Sequence, residues 1–188
     1  MPKPKLIDRI KPEEALGVLY KLAQDKEICS RIEELAGTII SAVSVDEIAS
    51  NVLSALNSLD VEDLWRSSGP SRYGYNDPGE VAWEMFEEAI EPFEADLRRY
   101  KELNMHSEAL EYCIGILKGI DLFESKSVSE FKNWAPDAPG EFFFSIFEIW
   151  REDCVSPKTS IDEMLAFLSR NEMRLGNRIE KYLDRSNR

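Results

Sequence analysis

Apolar residues recur in this chain every three to four positions almost from end to end, the rhythm of a helix with one buried face and not that of a strand. Leu16, Leu19, Tyr20 and Ala23 begin the series, and Ile28, Ile32 and Leu35 follow. Ile48, Val52, Leu56 and Leu59 repeat it, and the longest run passes through Val81, Phe86, Ile90, Phe93, Leu97 and Tyr100. Its partner run holds Ala109, Leu110, Cys113, Ile116, Leu117 and Ile120. Only Thr38 to Val43 has strand character, and no second strand is in view to pair with it. It reads as a buried connection or a helix extension.

Start and stop signals divide the rhythm into separate helices. Pro12-Glu13-Glu14 opens the first, because proline at the first turn lacks an N–H that would have no partner there and acidic residues favour the positive end of the helix dipole. Gly37 is expected to stop the second helix, which makes a helical hairpin with the first. Ser44-Val45-Asp46-Glu47, Ser127-Val128-Ser129-Glu130 and Ser160-Ile161-Asp162-Glu163 each match a capping box, and Asp60 caps a short helix through Trp65. Pro92 lies inside the long central run, so a kink is expected there and not an end. Asn104 marks the turn of a long hairpin from 79 to about 124. Pro136 and Pro139 bracket the start of an aromatic helix holding Phe142, Phe143, Phe144, Phe147 and Trp150, expected to be the most buried of all. Gly176 is expected to bend or break the last helix.

The fold class that follows is all-α: an irregular helical bundle or a short α-solenoid of stacked helical hairpins. The segment 67–79 carries three glycines and two prolines and reads as an irregular loop. It divides the chain into an N-terminal helical subdomain, 1–66, and a main helical domain, 67–188, together forming one compact unit.

With 188 residues, 43% of them hydrophobic, the chain buries enough surface to need neither disulfide nor metal. A net charge of −13 argues against non-specific binding to nucleic acid or anionic membrane. Cys29, Cys113 and Cys154 are odd in number and widely spaced, and the N-terminus lacks an apolar run after its lysines. Reduced thiols and a cytoplasmic location are expected.

Catalytic and metal chemistries find little to work with. His106 is the single histidine, no two cysteines are close in sequence, and Leu103 stands where a di-iron bundle motif needs glutamate. Cys113, among Tyr112, Ile114 and Ile116, reads as core and not as a nucleophile. No nucleophile elbow, phosphate loop or dinucleotide fingerprint occurs. No metal and no cofactor are expected.

Three surface features remain. Glu84, Glu87, Glu88 and Glu91 share one face of the central helix, either as a cation or partner strip or as a solvated outer face. Arg170, Arg174, Arg178, Lys181 and Arg185 form a basic stripe that binds an acidic partner or pairs with the acidic body. Arg72, Tyr73 and Tyr75 place a cation and two aromatics on the 67–79 loop, types favoured at binding hot spots; alternatively the tyrosines fold back over the core.

The opening Pro12-Glu-Glu-Ala-Leu-x-x-Leu-Tyr-Lys-Leu-Ala and the hairpin from Asp77-Pro-Gly-Glu-Val-Ala-Trp to Ala109-Leu-Glu-Tyr resemble the helical region that accompanies prokaryotic SWIM zinc-finger proteins. The resemblance spans Pro12 to about Phe123, two-thirds of the chain. The Cys-x-Cys and Cys-x-His of the finger are absent, so the resemblance implies only a helical, repeat-like interaction region. Two functions follow from the whole. One is a non-catalytic helical scaffold or adaptor binding another protein. The alternative is a small-molecule-binding or hydrolytic protein with an aromatic pocket from 142–150 and carboxylates from the central helix.

Overall fold

The computed structural model describes residues 9–72, 74–152, 157–171 and 173–176, together with 178, 179, 181 and 183, and only the backbone of 157–160. The described residues are helical almost throughout, and the fold is all-α. The chain divides into two units, the first ending at Ala42 and the second beginning at Val43.

The first unit holds α1 (Pro12–Leu22) and α2 (Lys26–Ile40). Pro12 lies in the first turn of α1, and the Glu14 carboxylate accepts the Lys11 N–H at 3.0 Å. Asp25 caps α2 by accepting from Glu27 and Ile28 N–H. The helix does not stop at Gly37. It continues through Thr38 to Ile40 and ends at Ser41, so the β-branched stretch is in part a helix extension, and an exposed one at Ile39. Neither helix buries a single residue, and the two do not pack along one another as the expected hairpin would.

The second unit is an irregular bundle built around one helix. Its elements are α3 (Val45–Asn57), α4 (Val61–Ser67), a two-stranded hairpin of β1 (Gly69–Ser71) and β2 (Gly74–Asn76), α5 (Pro78–Glu102), α6 (His106–Lys126), a 3-10 turn (Glu130–Asn133), α7 (Ala138–Arg151) and α8 (Pro157–Arg170). The helix at the centre is α6, against which α3, α5, α7 and α8 all pack. Helices arranged round a common neighbour form a bundle and not a serially stacked solenoid. Residues 43–66, assigned from sequence to the N-terminal part, belong here, because Ile48, Val52, Leu56 and Leu64 enter the common core.

Two glycines explain the tightest contact. Gly115 and Gly119 are one turn apart on α6 and face α3. A Cβ on Gly119 would stand 2.5 Å from the Val52 Cβ and 2.8 Å from the Ala49 carbonyl oxygen. Missing side chains therefore let the two backbones approach, as small residues do at close helix crossings.

The α5–α6 hairpin forms as expected. Asp77 caps α5, the helix runs on through Pro92, and Asn104 turns the chain at φ 58°. Near its far end the Lys101 ammonium donates to the Ile149 carbonyl in the last turn of α7, where a cation meets the negative helix end. The aromatic segment enters the core: Phe143, Phe147 and Trp150 are buried, and Phe142 stacks on Phe86 with centroids 5.1 Å apart. Yet α6, with Cys113, Ile116, Leu117, Ile120 and Phe123 all buried, is the element that the others cover. At the 3-10 turn the cap is Ser129, while the Ser127 hydroxyl donates to Asn57 and accepts from the Ser129 N–H. The expected box at Ser160 is displaced as well, since α8 already begins at Pro157. Helix α8 ends at Arg170, and helical backbone resumes only at Gly176, so the last helix is broken before the glycine.

Candidate functional site

The 67–79 segment is more regular than its glycines and prolines suggest. Gly69 pairs with Asn76, Pro70 with Tyr75 and Ser71 with Gly74 in an antiparallel register. Gly69 at the open end and Gly74 beside the turn adopt positive φ angles, 98° and 139°, that glycine tolerates without strain. Proline is tolerated because both strands are edges. The Ser71 hydroxyl donates to the Gly74 carbonyl at 2.9 Å, and the Asn76 amide donates to the Ser67 carbonyl at 3.0 Å, which ties the second strand to the end of α4. Glycine and proline here shape a turn instead of abolishing structure.

On this frame Tyr75 is 67% exposed and Arg72 is exposed as well. Tyr75 does not fold back over the core. Tyr73 lies outside the described residues.

Trp65, which the sequence gives no reason to separate from the core, is 52% exposed on the last turn of α4. Its ring meets Trp134 edge to face, centroids 4.8 Å apart. The Trp134 carbonyl lies 3.7 Å from where a Cβ on Gly79 would stand, so the turn at 130–134 abuts the start of α5. The end of α4, the hairpin, the start of α5 and Trp134 therefore form one aromatic edge. Arg66, the neighbour of Trp65, is engaged by Asp63 at 2.6 Å and Glu62 at 3.6 Å.

The acidic strip lies elsewhere on α5. Glu84, Glu87, Glu88, Glu91 and Glu94, with Ala95 and Arg98, line an open groove of about 490 Å³. Only α5 lines it, so it is a helix face and not an enclosed pocket. Arg98 engages Glu94 at 2.8 Å through two donors. None of the aromatic residues of 142–150 lines this groove, so the aromatic segment and the carboxylates are not brought together. Among the described residues no three His, Cys, Asp or Glu side chains converge as a metal site would require.

The basic stripe is not one helix face. Arg170 bonds back to the Ala166 carbonyl on α8, Arg174 and Arg178 follow the break, and Arg185 lies outside the described residues, as does Cys154. His106 is exposed at the start of α6, and Cys113 is buried with its sulfur 4.0 Å from the Ile146 carbonyl.

Asp121 and Tyr112 are among the titratable groups held away from their ordinary behaviour. Burial pushes the Asp121 carboxyl up, opposed by the backbone N–H groups of Leu175 and Arg174 that it accepts and by the charges of Arg174 and Lys126. It is the one buried charged residue among those described, and its 2.9 Å bond to Leu175 pins the segment after α8 to α6. Burial also pushes Tyr112 up, as does Asp96, which accepts its hydroxyl at 3.1 Å. Both groups lie in contacts between packed elements, away from the aromatic edge and the groove.

No single helix among the described residues is long and apolar enough to cross a membrane. Comparison with protein-family models, curated proteins and solved structures returns no match.

Proposed function

We propose that the chain is a non-catalytic helical scaffold or adaptor that binds another protein through the aromatic edge of its second unit. The observation that carries this reading is Trp65 and Tyr75, two large amphipathic side chains left more than half in water on a braced frame. Such side chains bury much area for little rotamer entropy and serve as interface anchors. The hairpin is tied to α4, and Trp65 is backed by Trp134, so little ordering cost remains at binding. Arg72 adds a charged donor at the rim. A basic partner suits the net charge of −13.

The hydrolytic or small-molecule reading is favoured by no comparable observation, since its aromatic and acidic halves lie in different places. The test is replacement of Arg72, Tyr73 and Tyr75 by alanine together. Partner affinity should fall by about 30-fold or more, which is roughly 2 kcal/mol, with an unchanged thermal midpoint. A midpoint lowered by several degrees with full partner capture would assign these residues to the fold instead.

A further inference from the structure

The first unit presents an unusual imbalance. Helices of 11 and 15 residues are marginal in water unless an apolar face is packed, yet neither α1 nor α2 has a buried residue. Their apolar residues are nevertheless patterned for packing. On α2, Ile28, Ile32, Leu35 and Ile39 are spaced four, three and four apart, the spacing of a coiled-coil seam. Ile39 is 75% exposed and Leu35 57%. On α1, Leu16, Leu19 and Tyr20 occupy one side, Tyr20 at 68% and Leu16 at 52%.

We propose that this unit is a self-association element, and that its partner is the same unit of a second copy of the chain in a two-fold symmetric dimer. Three features select a second copy. The first is charge. Residues 1–42 contain seven basic and seven acidic residues, so the whole net charge of −13 resides on the rest of the chain. Two copies meeting through this unit bring no net charge together, whereas the rest of the chain carries the whole net charge of −13.

The second feature is the flank of the seam. Beside the α2 apolar line stand Cys29, Ala36 and Thr38, with Arg31 the lone charge, while Glu27, Glu33 and Glu34 point to other faces of the helix. An identical face is therefore accepted without like-charge repulsion. The third is area. The exposed fractions of Leu16, Leu19 and Tyr20 on α1, with those of Ile28, Leu35 and Ile39 on α2, amount to roughly 650 Å² per protomer, against the ~800 Å² per partner of a standard specific interface. A two-fold interface uses the same patch twice, so the α2 apolar line of one copy can meet the same line of the other.

The test measures the mass of the full-length protein by light scattering from about 1 to 100 µM. A dimer mass is expected in the upper part of that range, and a monomer throughout overturns the proposal. Leu35→Glu with Ile39→Glu, both on exposed positions, should lower the dimer affinity at least 100-fold and leave the melting of the second unit unchanged. A dimer that persists in this variant overturns it too. A readout without substitution is hydrogen exchange against concentration: amides of α1 and α2 should gain protection as concentration rises, those of α3 to α7 should not. Exchange in α1 and α2 that is independent of concentration contradicts the proposal even if the variant fails to fold.

Discussion

Replacing Gly119 by alanine tests the close approach on which the second unit depends. Alanine favours a helix over glycine by about 1 kcal/mol, so an open helical site would gain stability. Gly119 is not open. The new Cβ meets the Val52 Cβ at 2.5 Å, its Cγ1 at 2.7 Å and the Ala49 carbonyl oxygen at 2.8 Å, whereas carbon atoms pack best at about 3.5–4.0 Å. A Cβ and a carbonyl oxygen move only with their backbone, so α3 must withdraw from α6 by roughly an ångström. Gaps of that size forfeit about a quarter to a half of the dispersion attraction across them, here around Val52 and Ala49, both buried. Overpacking of this kind costs typically about 1–3 kcal/mol, and the looser packing along the rest of α3 raises it further. After the helix gain is subtracted, a net loss of about 2 kcal/mol is expected, a fall of roughly 4–8 °C in midpoint for a chain of this size. The assay is thermal and urea unfolding followed by circular dichroism. A Gly119→Ala protein as stable as the parent would refute the packing argument.

Asp121 should reveal its burial through pH. Its folded pKa lies above the unfolded value, near 3.9, so the native state holds the proton more tightly and stability from this group is lost as pH rises from about 4 through the folded pKa. Asp121→Asn keeps an acceptor for the Leu175 N–H and removes the buried charge, so its stability relative to the parent should improve from pH 4 to pH 7 in urea titrations; an equal difference at both would contradict this. Asp121→Ala leaves that N–H without its acceptor and should cost about 1–3 kcal/mol at either pH. The acidic strip should behave as a solvated face. Changing Glu84, Glu87, Glu88 and Glu91 together to glutamine removes like-charge neighbours at three and four residues, each worth about 0.2–0.5 kcal/mol, and should raise the midpoint by a few degrees at low salt. A lowered midpoint would show that the carboxylates hold the fold.

Long-range rhythm and terminal chemistry made much of the fold legible. The α5–α6 hairpin could be read because its apolar spacing is sustained and because Asp77 and Asn104 mark its ends. Where two local signals compete, neighbouring chemistry alone does not choose. Ser127 and Ser129 are both good caps, and Ser129 takes the role because Ser127 is engaged by Asn57. Gly37 has the chemistry of a stop, but nothing crowds it and its backbone remains helical, so α2 continues. The hairpin at 69–76 escaped because glycine and proline mark turns without showing whether the flanks pair. Tertiary facts were the least readable. Gly115 and Gly119 look like weak points in a helix until α3 is placed against them, and a periodic pattern does not distinguish a tryptophan that is covered from one, like Trp65, left at the edge. Arg72 and Tyr75 were readable as surface because a Gly/Pro-rich connection must keep its polar backbone near water.

The most direct test of a protein-binding edge is a photoreactive phenylalanine analogue placed at Tyr75, with Glu111 on the exposed side of α6 as the control position. Irradiation of living host cells should link Tyr75, and not Glu111, to one discrete protein, and the adduct should fade when Arg72 and Trp65 are replaced by alanine. Identical adducts from both positions, or none from Tyr75 at full expression, would contradict the binding role of the edge.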